Sequence, residues 1–194
     1  MQSQINDLVI HVYGHSSADP QLVADTFLGV LPTAVSGDAD LAIFAINPSA
    51  GIDQLTIDQW AQLDDFQTPR LVVVNGLEKQ EADFDDAVMI ANRVFDQMIT
   101  PFLVLHDDAG FPIALISLHD LSIIDYTKLP ATKMACSPEH ETLVQEFRDE
   151  YLELLQSLGE DSFAAGLMFP AIPVWIEKGI GVDIVNSYIE QLKN

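Results

Sequence analysis

Cysteine is almost absent from this sequence. The single copy, Cys136, excludes an internal disulfide framework and a cysteine-rich zinc site. Cations are scarce too: eight lysines and arginines stand against thirty aspartates and glutamates, a formal charge of −22. Without cations to neutralise phosphates, such a surface makes nucleic acid and anionic membranes poor partners. No uninterrupted apolar run reaches the length of a membrane span. The opening MQSQIND has neither the basic flank nor the apolar core of a signal peptide. A cytoplasmic location is the resulting expectation. The acidity fits either a salt-rich cytoplasm or a protein partner, and composition leaves both open.

What is present is largely apolar. Hydrophobic residues make up 48% of 194, which excludes a disordered chain. A chain of this length buries roughly 70% of its unfolded surface, as one large domain or two small ones.

Strand and helix signals alternate through the first half. Residues 6–14, 40–47 and 69–76 are short apolar runs of the kind buried on both faces of a sheet. Pro20 opens a helix over 20–31 that would set Leu22, Val23, Phe27 and Val30 on one face. Thr56 and Gln59 form a capping box for a helix burying Ile57, Trp60 and Leu63. Asp83 caps a third helix carrying Phe84, Val88, Ala91 and Phe95. Residues 100–126 then pack two or three strands around the turn Asp108-Ala109-Gly110. Ser137-Pro138 starts a long acidic helix with Leu143, Phe147, Tyr151, Leu154 and Leu158 on one stripe, ending near Gly159. A short helical piece at 161–168, a strand at 171–176 and a helix bearing Val182, Val185, Ile189 and Leu192 complete the order. Alternating strands and helices predict an α/β fold with a mainly parallel sheet.

The stretch VIHVYGHSSADPQLVADTFLG, residues 9–29, runs strand to loop to helix, the layout of a phosphate-binding loop. Its neighbours extend the likeness. Ile46-Asn47-Pro48, then Gly51, Gln54 and Thr56, then Val74-Asn75-Gly76-Leu77-Glu78, then Glu81-Ala82-Asp83-Phe84 follow in an order that resembles the GTPase domain of elongation factor G and its ribosomal-protection relatives. The ending PAIPVWIEKGIGVDIVNSYIEQL is similar to the last strand and helix of that family. The likeness is a series of short matches across nearly the whole chain. It implies one three-layer, P-loop-NTPase-like G domain over 1–194, with a small antiparallel and helical insert at about 100–160.

The departures concern chemistry. A phosphate loop needs small residues, a lysine and a magnesium-binding hydroxyl. Here Gly14-His15-Ser16-Ser17-Ala18-Asp19-Pro20 keeps the first glycine, puts Asp19 near the lysine's place and has no N–H at Pro20. In the guanine-reading motif Asn75 stands, Gly76 replaces the lysine and Glu78 takes the aspartate position. The pair that contacts the base falls on Trp175-Ile176. The switch segments, their strands and the magnesium motif have no counterpart between the first helix and the second strand. Three lost charge-assisted contacts, at about 1.5–3 kcal/mol each, total about 4.5–9 kcal/mol, or about three to six decades of affinity.

The expected role is a non-catalytic pseudo-GTPase that binds a protein partner, with Gly14, His15, Asp19, Asn75 and Glu78 as the remains of a nucleotide site and no cofactor. Two alternatives stand beside it: a weak nucleotide binder or slow phosphohydrolase, and a decoy of a translation-factor surface. Deleting the switch strands would leave residues 6–13 as a sheet edge, covered by 32–39 or used for self-association or partner pairing. Other candidates have plainer readings. His11 and His15 would be anion ligands or ordinary histidines. His106-Asp107-Asp108 and His119-Asp120 would be cation ligands or acidic turns. Cys136 reads as an ordinary thiol, and the 143–158 stripe as core or, if exposed, a docking face.

Overall fold

The computed structural model describes residues 8–79, 83–159 and 161–193. Four apolar strands, β1 (Ile10–Tyr13), β2 (Leu41–Ile46), β3 (Arg70–Val74) and, late in the chain, β9 (Phe169–Pro173), are buried at every residue. With the two-residue β4 (Met98–Ile99) they form a parallel sheet ordered β1-β2-β3-β9-β4. Because side chains alternate across a strand, the sheet feeds two cores. Ile10, Val12, Ile43 and Val73 meet Val23 and Phe27 of α1 (Pro20–Phe27) and Val185 of α5 (Val182–Gln191). Tyr13, Phe44, Val72 and Val74 meet Trp60 of α2 (Gln54–Gln62) and Phe84 and Ala91 of α3 (Phe84–Val94). The result is three layers.

Between β4 and β9 lies a second sheet, antiparallel, ordered β5 (Phe102–His106), β6 (Pro112–Ser117), β7 (Ser122–Asp125), β8 (Thr132–Ala135). The helix α4 (Pro138–Leu158) follows, capped by Ser137, whose hydroxyl accepts the His140 N–H. Alternate residues of β6 face opposite ways: Leu115 joins the main core, whereas Ala114 and Ile116 pack with Val144 of α4.

Several expectations change. The first helix stops at Phe27, so Val30 shares no helical face with Leu22, Val23 and Phe27. The cap of α2 is Asp53, which accepts from the Thr56 N–H and hydroxyl; no Thr56–Gln59 box forms. Residues 161–166 make turns, the last strand sits at 169–173, and β4 and β8 were not expected. On the α4 stripe Leu143 is 69% exposed and Phe147 49%, and the buried residue is Val144 instead. The edge of β1 is covered by Val30, not by 32–39. Positions 6 and 7 of that expected strand, and Glu81-Ala82, lie outside the described residues.

Arg70 is buried at the start of β3 between the rings of Trp60 and Phe169, 4.7 and 4.5 Å from their centroids. Its Nη1 donates to the Trp60 carbonyl at 3.0 Å and meets Asp64 Oδ1 at 2.7 Å.

Candidate functional site

The loops at the carboxyl ends of β1, β2 and β3 converge on one cleft. Gly14 leaves β1 with φ 147°, and a Cβ there would collide with the Ala45 carbonyl, so only glycine lets the loop lie against β2. The chain then winds into a single tight turn, Ser16–Ala18. Three successive amides here are engaged within the loop. Ser17 N donates to His15 Nδ1 at 3.2 Å, Ala18 N to the His15 carbonyl at 2.9 Å and Asp19 N to the Ser16 carbonyl at 3.2 Å.

Asp19 takes a left-handed conformation, φ 49°, and caps α1 through Oδ1, which accepts the Leu22 N–H at 3.2 Å. A helix N-terminus attracts anions through its free amides and the helix dipole. Here the chain's own carboxylate fills that role.

Two buried asparagines pin the loop from behind. Asn75, following β3, donates Nδ2 to the Ala18 carbonyl at 3.0 Å. Asn47, following β2, donates to the Ser17 carbonyl at 2.7 Å and accepts the Ser49 N–H at 2.9 Å. The sequence offers Asn47 as part of the Ile46-Asn47-Pro48 match but not as a site residue, because its partner lies thirty residues away. Gly76 has φ 90°, and a Cβ there would approach Asn47 Nδ2 to 3.1 Å. The motif's lysine would therefore be strained and crowded at this position.

The cleft encloses about 460 Å³ and is lined by Asp19, Asn47, Asn75, Glu78, Lys79 and Trp175, among others. It brings together three of the five expected residues, Asp19, Asn75 and Glu78. Gly14 and His15 do not line it; His15 instead caps the turn with Nδ1 as acceptor. Trp175 and Ile176 border the cleft where the base-contacting pair was expected. Asp19, Glu78 and Glu177 outnumber Lys79, so the lining is set against a polyphosphate.

The other candidates resolve on geometry. His11 is buried beside Tyr13, whose hydroxyl lies 3.4 Å from His11 Nδ1. Asp107 Oδ1 accepts the Ala109 and Phe111 amides, both at 2.9 Å, so this carboxylate closes a turn. Asp120 binds Ser122 Oγ and Lys133 Nζ, both at 2.6 Å. Among the described residues no three His, Cys, Asp or Glu side chains are grouped to hold a metal ion. Cys136 is buried, and burial, with Glu141 and Asp120 nearby, raises its thiol pKa. No helix among the described residues is long and apolar enough to cross a membrane.

The architecture is thus a mixed α/β domain with loops gathered at the carboxyl ends of a parallel sheet. Its relatives are translation factors in name. The chain is 27% identical over 180 residues to an elongation factor G-like protein of Mycobacterium tuberculosis, covering 80% of this chain and 24% of that one. It is 23% identical to an elongation factor G-like protein of Thermotoga maritima over 76% of this chain and 24% of the relative. A mitochondrial ribosome-releasing factor 2 of Anopheles gambiae is 26% identical over 68% of this chain and 18% of its own length. The chain therefore spans about a quarter or less of these relatives. A crystal structure of a Thermus thermophilus protein superposes with a TM-score of 0.65 at 21% identity, over 87% of this chain and 28% of that one. No family profile matches.

Proposed function

We propose that this chain is a non-catalytic, G-like domain: a translation-factor-like module that serves as a protein-binding or regulatory unit without turning over GTP. One observation carries the reading. The Asp19 carboxylate occupies the N-terminus of α1, and the Ser17, Ala18 and Asp19 amides beside it are bound within the loop. A phosphate entering there would have to displace an anion already bonded, and would find Glu78 and Glu177 nearby. Only residues 28–40 separate α1 from β2, which supports the absence of switch strands.

Isothermal titration calorimetry with GTP and GDP, with magnesium, at protein concentrations that detect millimolar binding, tests it. The expected result is no heat of binding. Binding that is lost in Glu78→Ala, a cleft residue outside the loop's own hydrogen bonds, would overturn the reading. One observation favours the second reading, a weak nucleotide binder: the cleft is open, and Lys79 lines it. In that case Lys79→Ala lowers the affinity for GTP and GDP alike.

A further inference from the structure

The outer edge of β1 is closed by a short return of the chain that leaves its apolar side chains outside. Leu28 ends α1 in the left-handed region, φ 56° and ψ 33°, where a leucine is disfavoured and a glycine is at home. The neighbouring glycine cannot take that turn in its place. Gly29 lies where a Cβ would approach Val12 Cγ2 to 2.9 Å and the Ile10 carbonyl to 3.1 Å, so it is held for the approach to β1. Val30 then pairs across the edge, its N–H donating to the Ile10 carbonyl at 2.9 Å and its carbonyl accepting from Val12 N at 2.8 Å.

Leu28 is 88% exposed and Val30 56%, and Val9 and Leu31 are exposed beside them. They adjoin a groove of about 380 Å³ between the end of α1 and α5, lined by Leu8, Ile10, Phe27, Leu28, Glu190 and Lys193. The turn closes α1 and brings Val30 to β1, but the Leu28 side chain itself buries little surface in the isolated chain, which marks a contact made with something else.

Charge identifies the occupant. No lysine or arginine precedes Arg70 in the sequence. Asp25 stands on the last turns of α1, Asp38 and Asp40 lead into β2, and Asp40 Oδ2 accepts the Val9 N–H at 2.8 Å. The groove's cation, Lys193, is bonded to Glu190 at 2.6 Å. We propose that this patch docks a basic, apolar segment of another protein: its apolar side chains cover Leu28, Val30 and the groove, and its cations face Asp25 and Asp40. Because Val30 already bonds Ile10 and Val12, the contact is made by side chains and not by a strand added at those residues. A second copy of this chain would bring the same acidic rim and its own −22 charge, which disfavours self-association. The inference rests on the reading of the chain as a protein-binding module, and it is independent of whether the nucleotide cleft is closed.

The test is fluorescence anisotropy with a short labelled peptide of alternating leucine and lysine. Two control peptides replace lysine with glutamate or leucine with serine. The leucine–lysine peptide is expected to bind, and both controls to bind roughly tenfold or more weakly, which is 1.4 kcal/mol per decade. Leu28→Gly is expected to weaken binding by a similar factor while its melting temperature holds or rises, since glycine suits the turn. Val30→Thr, which keeps the backbone pairing, is expected to weaken binding as well. Unchanged affinity in both variants would mean general attraction to an acidic protein and would overturn the proposal. So would a lower melting temperature for Leu28→Gly, which would make the leucine structural. Sedimentation equilibrium showing a dimer that Leu28→Gly dissolves would give the patch to a second copy and also overturn it. Calorimetry with GTP and GDP reads the cleft separately, so the two proposals fail by different measurements.

Discussion

Every residue of β1, β2, β3 and β9 is buried, whereas every residue of β8 is exposed and β5 is half-covered along most of its length. The parallel sheet has helices on both faces. The antiparallel one is wedged between the main core and α4, and its burial declines from β6 through β7 to β8. Two sheets of similar strand length therefore differ in what holds them. The first is held by side-chain burial from both sides, the second by its ladder, by apolar contacts of β5, β6 and β7 with the main core and α4, and by a few polar ties. A parallel sheet needs cover on both faces; an antiparallel one tolerates water on one.

The largest expected effect breaks the first sheet. Phe44 is fully buried and stacks on Tyr13, with centroids 5.0 Å apart, and meets Trp60 edge-on at 4.9 Å. Phe44→Ala is expected to cost about 3–5 kcal/mol. Phe147→Ala on α4 removes the same ring from a half-exposed site and is expected to stay within about 0.5 kcal/mol. Urea unfolding followed by circular dichroism compares them directly. Equal losses would mean that α4 is as fully packed as the parallel core.

A smaller effect is expected at the loops. Asn47→Ala and Asn75→Ala each strand a loop carbonyl that now has a donor, on Ser17 and Ala18 respectively. Each is expected to cost about 1–3 kcal/mol. Hydrogen exchange then sharpens the account: the amides of residues 15–19 should lose protection in both variants, while those of β2 keep theirs.

These residues also show what the sequence could disclose. The buried runs of β2 and β3 and the caps Asp83 and Ser137 are local signals, readable from neighbours in the chain. The stop at Phe27 was hidden because the turn residue is a leucine, and the glycine that usually marks a helix end is one place later, held against β1. β8 carried no strand signal because none of Thr132–Ala135 is buried; its pairing is made through the backbone. Burial of Arg70 is a tertiary fact, made possible by two aromatic rings from distant elements. In the cleft, Asp19, Asn75 and Glu78 could be gathered by their motif positions. The role of Asp19 as an internal cap needed the path of the loop, since the same residue could have faced solvent.

The junction of the two regions gives a third test. Tyr126, just after β7, donates its hydroxyl to Asp183 Oδ1 on α5 at 2.7 Å. Burial, then the hydrogen bond to Asp183 and its charge, push the tyrosine pKa well above its ordinary value of 10.0. A group whose pKa is raised on folding contributes fully below the unfolded pKa and loses that contribution as pH rises through the folded one. Stability is therefore expected to fall above about pH 10. Tyr126→Phe is expected to cost about 1 kcal/mol at neutral pH and to lessen that alkaline fall, to which Tyr13, Tyr151 and Tyr188, also raised by burial, still contribute. If the variant's loss appears equally at pH 11, the hydrogen bond is not its source.

The smallest effect lies at the exposed end of the antiparallel sheet. Asp120 accepts from Lys133 of β8 and Ser122 of β7, both at 2.6 Å, and so fastens the last strand to the turn before β7. The hydrogen bond from Lys133, then those from Ser122 and Ser117, hold its pKa well below the usual carboxylate range, against a small opposing effect of burial. A depressed pKa contributes above the unfolded value and is lost as pH falls below about 3.9 toward the folded one. Both partners are exposed, so salt screens the pair and its contribution is small. Asp120→Asn is expected to lessen the acid limb of the stability profile slightly and leave the alkaline limb alone, the reverse of Tyr126→Phe. In molar salt the Asp120→Asn difference should shrink further, while the Phe44→Ala loss should not, because the packing of that ring involves no charge. An Asp120→Asn effect that survived molar salt would mean that β8 is held by packing after all.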